Sequence, residues 1–403
     1  MPRAGWRKPE SEQRLSDHIS IGVLTRTYPP AMVDAAVASA GRQERRHRLL
    51  PARVVVYYVM AMALFSHAAY EEVMRSLVEG LAWSRRWRST TWTVPTKAAI
   101  FQARVRLGVE PLRILFHRAV HPLGTPESRG VWFRSWRLMS VDGTILDVAD
   151  TPVNEAAFGR PPHSRGEGSA FPQVRLAALA ESGTHAIVDV ALGPCTVGEL
   201  SLAPELFRSL QPGMLCLADR LYFSYHLWQQ ASANGADLLW RARSNAVLPV
   251  VEELADGSYL SHLFATPKDR AVDRDGIPVR VIEYVLEAAG QPTPELPYRL
   301  ITTILDPTLA PADELAVTYA ERWELETAFD ELKTHQRGPR LVLRSKRPEG
   351  VEQEIYGHLL THFAIRALMH EAALEAEEDP DRLSFIRSLR VVRRAQTSGL
   401  FSP

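Results

Sequence analysis

Cysteine is almost absent from this 403-residue chain, which has only Cys195 and Cys216. Two thiols cannot build a disulfide framework or a four-thiolate zinc site, so disulfide-stapled and zinc-ribbon classes are excluded and a reducing compartment is expected. Both read as buried thiols. Long apolar runs are missing too. The longest covers residues 54–65, well short of the roughly 20 residues a spanning helix needs, and reads as a buried core helix; no membrane partner is expected. Residues 1–20 are polar and basic without an apolar stretch, so no secretory leader is expected and the cytoplasm is the expected location. No Walker loop or dinucleotide fingerprint occurs, and no nucleotide cofactor is expected. There is no internal repeat. A composition of 46% hydrophobic and 23% charged residues excludes wholesale disorder, and the length suits about two to three domains.

Net charge is the last absence, since 47 Lys and Arg meet 47 Asp and Glu. That balance conceals a split. Residues 1–140 carry a net +12 and the remainder −12, which suggests one region that meets a polyanion and another that concentrates carboxylates. Chance surface asymmetry is the plain alternative.

The first 125 residues read as helical. A helix is expected after Pro29-Pro30, stopped by Gly41 and followed by Arg42, Arg45, Arg46 and Arg48; others follow at residues 54–65, at about 70–81, and from Pro95 to Gly108 with Arg104 and Arg106 in the last turn. Arginines on a compact helical domain suit phosphate contacts; a solvated basic face is the alternative. From about residue 135 the pattern turns to strands. Residues 136–141 form a short, mostly apolar run that delivers Asp142 into an expected turn at Gly143-Thr144. Residues 158–169 read as a loop, in which Arg160, His163 and Arg165 read as solvated or as DNA contacts. Strands are expected at 173–180, 186–192 and 214–218, the last ending on Asp219, and short β runs at 279–286 and 299–305. The resulting division is residues 1–125 as a helical DNA-binding domain, 126–237 and 309–403 as two parts of a catalytic core, and 238–308 as a β-rich insertion.

One helix is expected over about residues 313–336, ended by Gly338-Pro339. On it Tyr319, Arg322, Glu326 and Lys333 fall at about 0°, −60°, −20° and −40°, a single stripe, with Leu325, Phe329 and Leu332 as the adjoining core face. The bland reading is a solvated helix with an i, i+4 ion pair. Three carboxylates gathered from Asp142, Asp219 and Glu326 would repel one another unless divalent cations sat among them. With no His or Cys nearby, oxygen-only ligation suits Mg²⁺ or Mn²⁺, and two such ions suit phosphodiester chemistry. Arg337, Arg340, Arg344, Lys346 and Arg347 follow closely and read as phosphate contacts.

Asp142-Gly143-Thr144, Ala218-Asp219-Arg220 and the spacing Tyr-x2-Arg-x3-Glu-x6-Lys at Tyr319, Arg322, Glu326 and Lys333 resemble the DDE transposases of the insertion-sequence-four family. Arg48-Leu49-Leu50-Pro51, Phe171-Pro172-Gln173-Val174-Arg175, Leu343-Arg344-Ser345-Lys346 and Gln353-Glu354-Ile355-Tyr356 extend the likeness, which runs over about residues 17–395. The chain ends at Pro403 without the long C-terminal dimerisation domain that some relatives carry. The resemblance implies an α/β fold with an RNase H-like core and a β-rich insertion, preceded by an all-α DNA-binding domain. It implies Asp142, Asp219 and Glu326 as catalytic and metal-holding acids, with Arg322 and Lys333 on phosphates, Tyr319 donating to a phosphate, and Trp323 stacking on a displaced base or packing as a core aromatic. The partner implied is double-stranded DNA, at the terminal inverted repeats and the target, with a dimer in the DNA complex and a nucleoid-associated bacterial setting. End cleavage, a hairpin intermediate and strand transfer are the implied chemistry; a silent DNA-binding repressor and a nuclease that cuts without joining are the alternatives.

Overall fold

The computed structural model describes residues 22–44, 46, 50–83, 94–161, 171–285, 298–338 and 342–398. The described residues open with α1 (Gly22–Thr27), α2 (Pro30–Ser39), α3 (Ala52–Leu64), α4 (Tyr70–Trp83), α5 (Lys97–Leu107) and α6 (Glu110–Ala119). Then come β1 (Trp132–Phe133), β2 (Trp136–Asp147), α7 (Pro152–Phe158), β3 (Gln173–Glu181), β4 (Ala186–Pro194), α8 (Glu199–Phe207), β5 (Met214–Ala218), α9 (Tyr225–Ser232) and β6 (Asp237–Arg241). The segment up to residue 302 adds β7 (Glu252–Glu253), β8 (Tyr259–Leu263), α10 (Pro267–Ala271), β9 (Ile277–Tyr284) and β10 (Tyr298–Thr302). A helical run follows, made of α11 (Ala312–Thr318), a 3₁₀ turn (Tyr319–Arg322), α12 (Trp323–Asp330) and a π turn (Glu331–Gln336); α13 (Pro348–Ala376) and α14 (Phe385–Ser398) close the fold.

Prolines at 29–30 and 51 set the entries of α2 and α3, where a missing N–H costs nothing, and Thr96 caps α5 by accepting from the Ala99 N–H. α3 is apolar all round, and every residue in it except Arg53 is buried, which marks a central helix. It lies against α13. A Cβ at Gly357 would stand 2.8 Å from the Val59 carbonyl oxygen, so the two helices meet nearly backbone to backbone. Tyr28 Oη donates to the Leu360 carbonyl at 2.7 Å and Thr361 Oγ1 to the Met60 carbonyl at 3.0 Å. The helices before residue 125 therefore share one core with α13.

The strands form a single sheet in the order β4-β3-β2-β5-β6-β10-β9-β8-β7, with β1 beside β2. β2, β3 and β4 are antiparallel neighbours, whereas β5 and β6 run parallel to β2. Three antiparallel strands continued by two parallel ones on the far side of the first is the RNase H-like arrangement, as expected from the resemblance. The β-rich segment continues this sheet through the antiparallel pairing of β10 with β6, and β6 itself straddles the boundary expected at residue 238. Short β runs announced strands but carried no information on their partner.

Two further expectations are corrected. Asp142 does not enter a turn: β2 runs unbroken through it, and Asp142, Gly143 and Thr144 pair with Ala178, Ala177 and Leu176. Glycine signals a turn only where the chain has no partner strand, and here β3 supplies one. The segment expected as one α-helix over about 313–336 is instead wound tightly at 319–322 and widely at 331–336.

Candidate active site

The position of Asp142 follows from register. β2 and β5 pair in parallel from Arg137 with Met214 to Ser140 with Leu217, and two more residues along each chain bring Asp142 beside Asp219, where β5 has just ended. Leu138 and Leu146 pack on the side of the helical run, Met139 and Val141 on the other; alternation puts Asp142 and Thr144 with the first pair. Asp219 Oδ1 accepts from the Leu221 N–H at 2.7 Å.

The helical run faces these strands. In a 3₁₀ turn residues three apart eclipse, so Tyr319 and Arg322 line up more closely than an α-helix would allow. Arg322 Nη1 lies 3.3 Å from Glu326 Oε1 and 3.8 Å from Asp142 Oδ2, and its guanidinium carbon sits 4.5 Å from the Trp323 ring centre. Lys333 Nζ donates to Thr144 Oγ1 at 2.9 Å. Burial, with Arg337 nearby, lowers the Lys333 ammonium from its ordinary value. The structure thus brings Asp142, Asp219, Arg322, Glu326 and Lys333 to one place. Leu325, Phe329 and Leu332 are buried beside them, as the core-face reading requires. Trp323 is 59% exposed, which removes its reading as a core aromatic.

Burial pushes the Asp142 carboxyl up to about 6; the Gly143 N–H opposes the rise, the carboxylates of Glu199 and Asp219 add to it, and Arg322 counters them. Glu199, on the first turn of α8, was not singled out from the sequence. A signal was present in Gly143, because a glycine within a strand often marks close approach of another group.

Tyr319 is buried, and its hydroxyl donates to the Ala218 carbonyl at 3.2 Å, so the expected bond to a phosphate is corrected to an internal one. Arg104 is corrected likewise. It is buried and donates to Gln353 Oε1, Ser345 Oγ and the Gly350 carbonyl at 2.9 to 3.0 Å; the last turn of α5 points into the fold there, so this arginine is not available to DNA. Arg337 is also buried. Arg42, Arg46, Arg106, Lys346 and Arg347 are exposed, and Arg42 and Arg106 line one cavity between the segment after α2 and α5. Arg344 is half-buried, its guanidinium donating to the Ala68 carbonyl at 2.7 Å and lying over the Tyr70 ring. Arg160 is paired with Asp150 and Glu155. Arg45, Arg48, His163, Arg165 and Arg340 lie outside the described residues. Cys216 is buried and Cys195 half-buried.

The sheet order is that of an RNase H-like core, and the comparisons give its family. The family model described as Transposase DDE domain matches residues 137–364, and the chain belongs to the DDE transposases. Residues 18–117 match the model of the insertion element 4 transposase N-terminal region, which sets it within that group: it is a DNA transposase. Transposase InsG for insertion sequence element IS4 of Escherichia coli K12 is 29% identical over 368 residues, covering 91% of this chain and 80% of that protein. A cryo-EM structure of a piggyBac transposase synaptic complex with hairpin DNA is 12% identical, covering 94% of this chain and 81% of that one, at a TM-score of 0.48. Among the described residues no helix is long and apolar enough to cross a membrane.

Proposed function

We propose that this transposase binds the terminal inverted repeats of its element, cuts at the ends to free a 3′-OH, forms a hairpin at the transposon end and joins that strand to target DNA. The supporting observation is the adjacency of Asp142 and Asp219 at the end of β5, opposite Arg322 and Glu326. In this reading Asp142, Asp219 and Glu326 are the catalytic acids and hold the metal. Their donors are oxygen only, and Asp142 and Glu326 share Arg322 as their facing cation; both fit a hard divalent cation, Mg²⁺ or Mn²⁺, proposed as two ions. When bound, the ions supply an activated oxygen nucleophile and stabilise the leaving oxygen.

Among the described residues no three His, Cys, Asp or Glu side chains already stand close enough to hold an ion. Glu326 is drawn to Arg322 instead. Arg322 is buried and its Nε has no partner, so an end phosphate would find a donor there and release Glu326 towards the aspartates. Lys333 adds a point charge and Trp323 an exposed stacking surface. Residues 1–125 are proposed to grip end DNA through Arg42, Arg46 and Arg106, with Arg344 and Lys346 extending the track. A dimer is proposed in the DNA complex, and the bacterial cytoplasm, at the nucleoid, as the location.

The test uses purified full-length protein, labelled end DNA and Mg²⁺. Wild type should yield nicked, hairpin and joined products; Asp142→Asn, Asp219→Asn and Glu326→Gln should bind ends and yield none. Full cleavage by any one variant removes that acid from the site. Binding without cleavage by wild type would favour a repressor, and cleavage without joined products a simple nuclease.

A further inference from the structure

Glu199 opens α8, which packs on the face of the sheet opposite the helical run. β2 has glycine at 143, immediately after Asp142, and a Cβ at that position would lie 2.2 Å from the Glu199 carboxylate carbon and 2.3 Å from Oε2. A strand glycine forfeits packing and backbone entropy unless something occupies its side-chain space. Here a carboxylate does. The other oxygen, Oε1, accepts from Tyr222 Oη at 2.5 Å. Tyr222 is fully buried, and its N–H donates to the Asp219 carbonyl, so the turn that carries Asp219 also fixes Glu199. On the other side of β2 the partnerless Nε of the buried Arg322 independently marks a place for an anionic ligand.

We propose that Glu199 is a fourth carboxylate of the divalent-cation centre, bringing Oε2 to an ion held by Asp142 and Asp219, with Tyr222 as its positioning residue. The inference rests on the reading of those two aspartates as metal-holding acids. Gly143 is then required for access: any side chain there would fill the space through which Glu199 meets the centre. α8 thereby contributes an acid from an element that neither the two strands nor the helical run supply.

The experiment measures Mn²⁺ affinity of full-length protein by calorimetric titration, alongside end-DNA binding in EDTA. Glu199→Gln should weaken Mn²⁺ binding at least about tenfold, in the range seen for groups supporting a metal, and leave end binding unchanged. Gly143→Ala keeps every acid but displaces the Glu199 carboxylate, so it should give a similar loss, and the double variant should be no worse than either single one. Asp219→Asn is the control. If it loses Mn²⁺ affinity while Glu199→Gln and Gly143→Ala keep theirs, Glu199 is outside the centre. If all three bind Mn²⁺ like wild type, the underlying reading of the aspartates fails. Should Glu199→Gln not fold, Gly143→Ala decides alone.

Discussion

The two sides of the helical run hold carboxylates in opposite states, one half-buried and one buried. Towards β2, Asp142 stands near Asp219 and Glu199 with Arg322 as the facing cation, and burial pushes its carboxyl up to about 6. Behind, Glu331 on the π turn accepts from Arg366 Nε at 2.9 Å and His362 Nε2 at 3.0 Å and lies 3.3 Å from His185 Nδ1. Burial alone would raise that carboxyl too, but the hydrogen bonds from His185 and His362 and the charge of Arg366 outweigh it and hold it well below the usual range. Burial raises both carboxyls, and it acts more strongly on the deeper Glu331, so the neighbours decide the sign. The rear carboxylate is surrounded by Arg366, His185 and His362, whereas at the front Arg322 faces both Asp142 and Glu326.

The largest effect should come from the front. Asp219→Asn is expected to slow end cleavage about ten-thousandfold, about 5.5 kcal/mol of barrier, with end binding retained in a gel shift. Stability should respond differently. A carboxyl whose folded value is raised is favoured protonated, so ionising Asp142 costs stability as pH climbs from about 4 through about 6. Asp142→Asn removes that cost, and in EDTA at pH 7 it should melt at or above wild type. A lower melt would make Asp142 a paired structural acid like Glu331 and dissolve the contrast.

Glu331→Gln should give the largest loss of stability, about 3–5 kcal/mol, because it leaves Arg366 buried without its anion. Its depressed carboxyl contributes stability that is present above the unfolded value of about 4.3 and is lost as pH falls below it. Urea titrations between pH 3 and 7 should therefore show a steep acid limb in wild type and a flatter one in the variant. Identical limbs would mean that the rear cluster is not what acid dismantles.

Arg322 links the two proposed roles of the front, since it balances Asp142 and Glu326 and offers an unpartnered donor. Arg322→Ala is expected to slow single-turnover cleavage by about 2–4 kcal/mol, roughly thirtyfold to a thousandfold. Arg322→Lys should recover part of this, because charge returns without the planar fork. A wild-type rate for Arg322→Ala would reduce the residue to an i, i+4 pair worth a few tenths of a kcal/mol.

How much of this was legible in the sequence depended on how local its cause was. The acid at the end of the continuous apolar run Met214–Ala218 and the one-sided spacing of Arg322, Glu326 and Lys333 are local features that sequence carries directly, although the windings at 319–322 and 331–336 depart from the α-helical period. Gly143 was misread as a turn, because only the pairing of β2 with β3 distinguishes a bent chain from a strand that must admit Glu199. Glu199 was not singled out, because its place in the first turn of α8 emerges only in the structure and an acid there is a common macrodipole contact. Arg104 had the composition of a DNA contact, but its partners Ser345, Gly350 and Gln353 lie more than two hundred residues away. The extension of the core sheet through β10 was hidden for the same reason.

Tyr319 gives the smallest effect and separates two uses of one hydroxyl. Its bond to the Ala218 carbonyl anchors the residue just before Asp219, so Tyr319→Phe should cost about 1 kcal/mol of stability, the net worth of one buried hydrogen bond. Cleavage should fall severalfold at most, through a looser Asp219. End-DNA affinity and its salt dependence should not move, because no phosphate contact is lost and each such contact changes the slope of log affinity on log salt by about 0.9. Had the hydroxyl met a phosphate instead, the slope would drop while the melt stayed put. A thermal melt and a salt series on the same variant therefore read opposite ways for the two roles, and a changed slope with an unchanged melt would return Tyr319 to the DNA-facing side of the comparison.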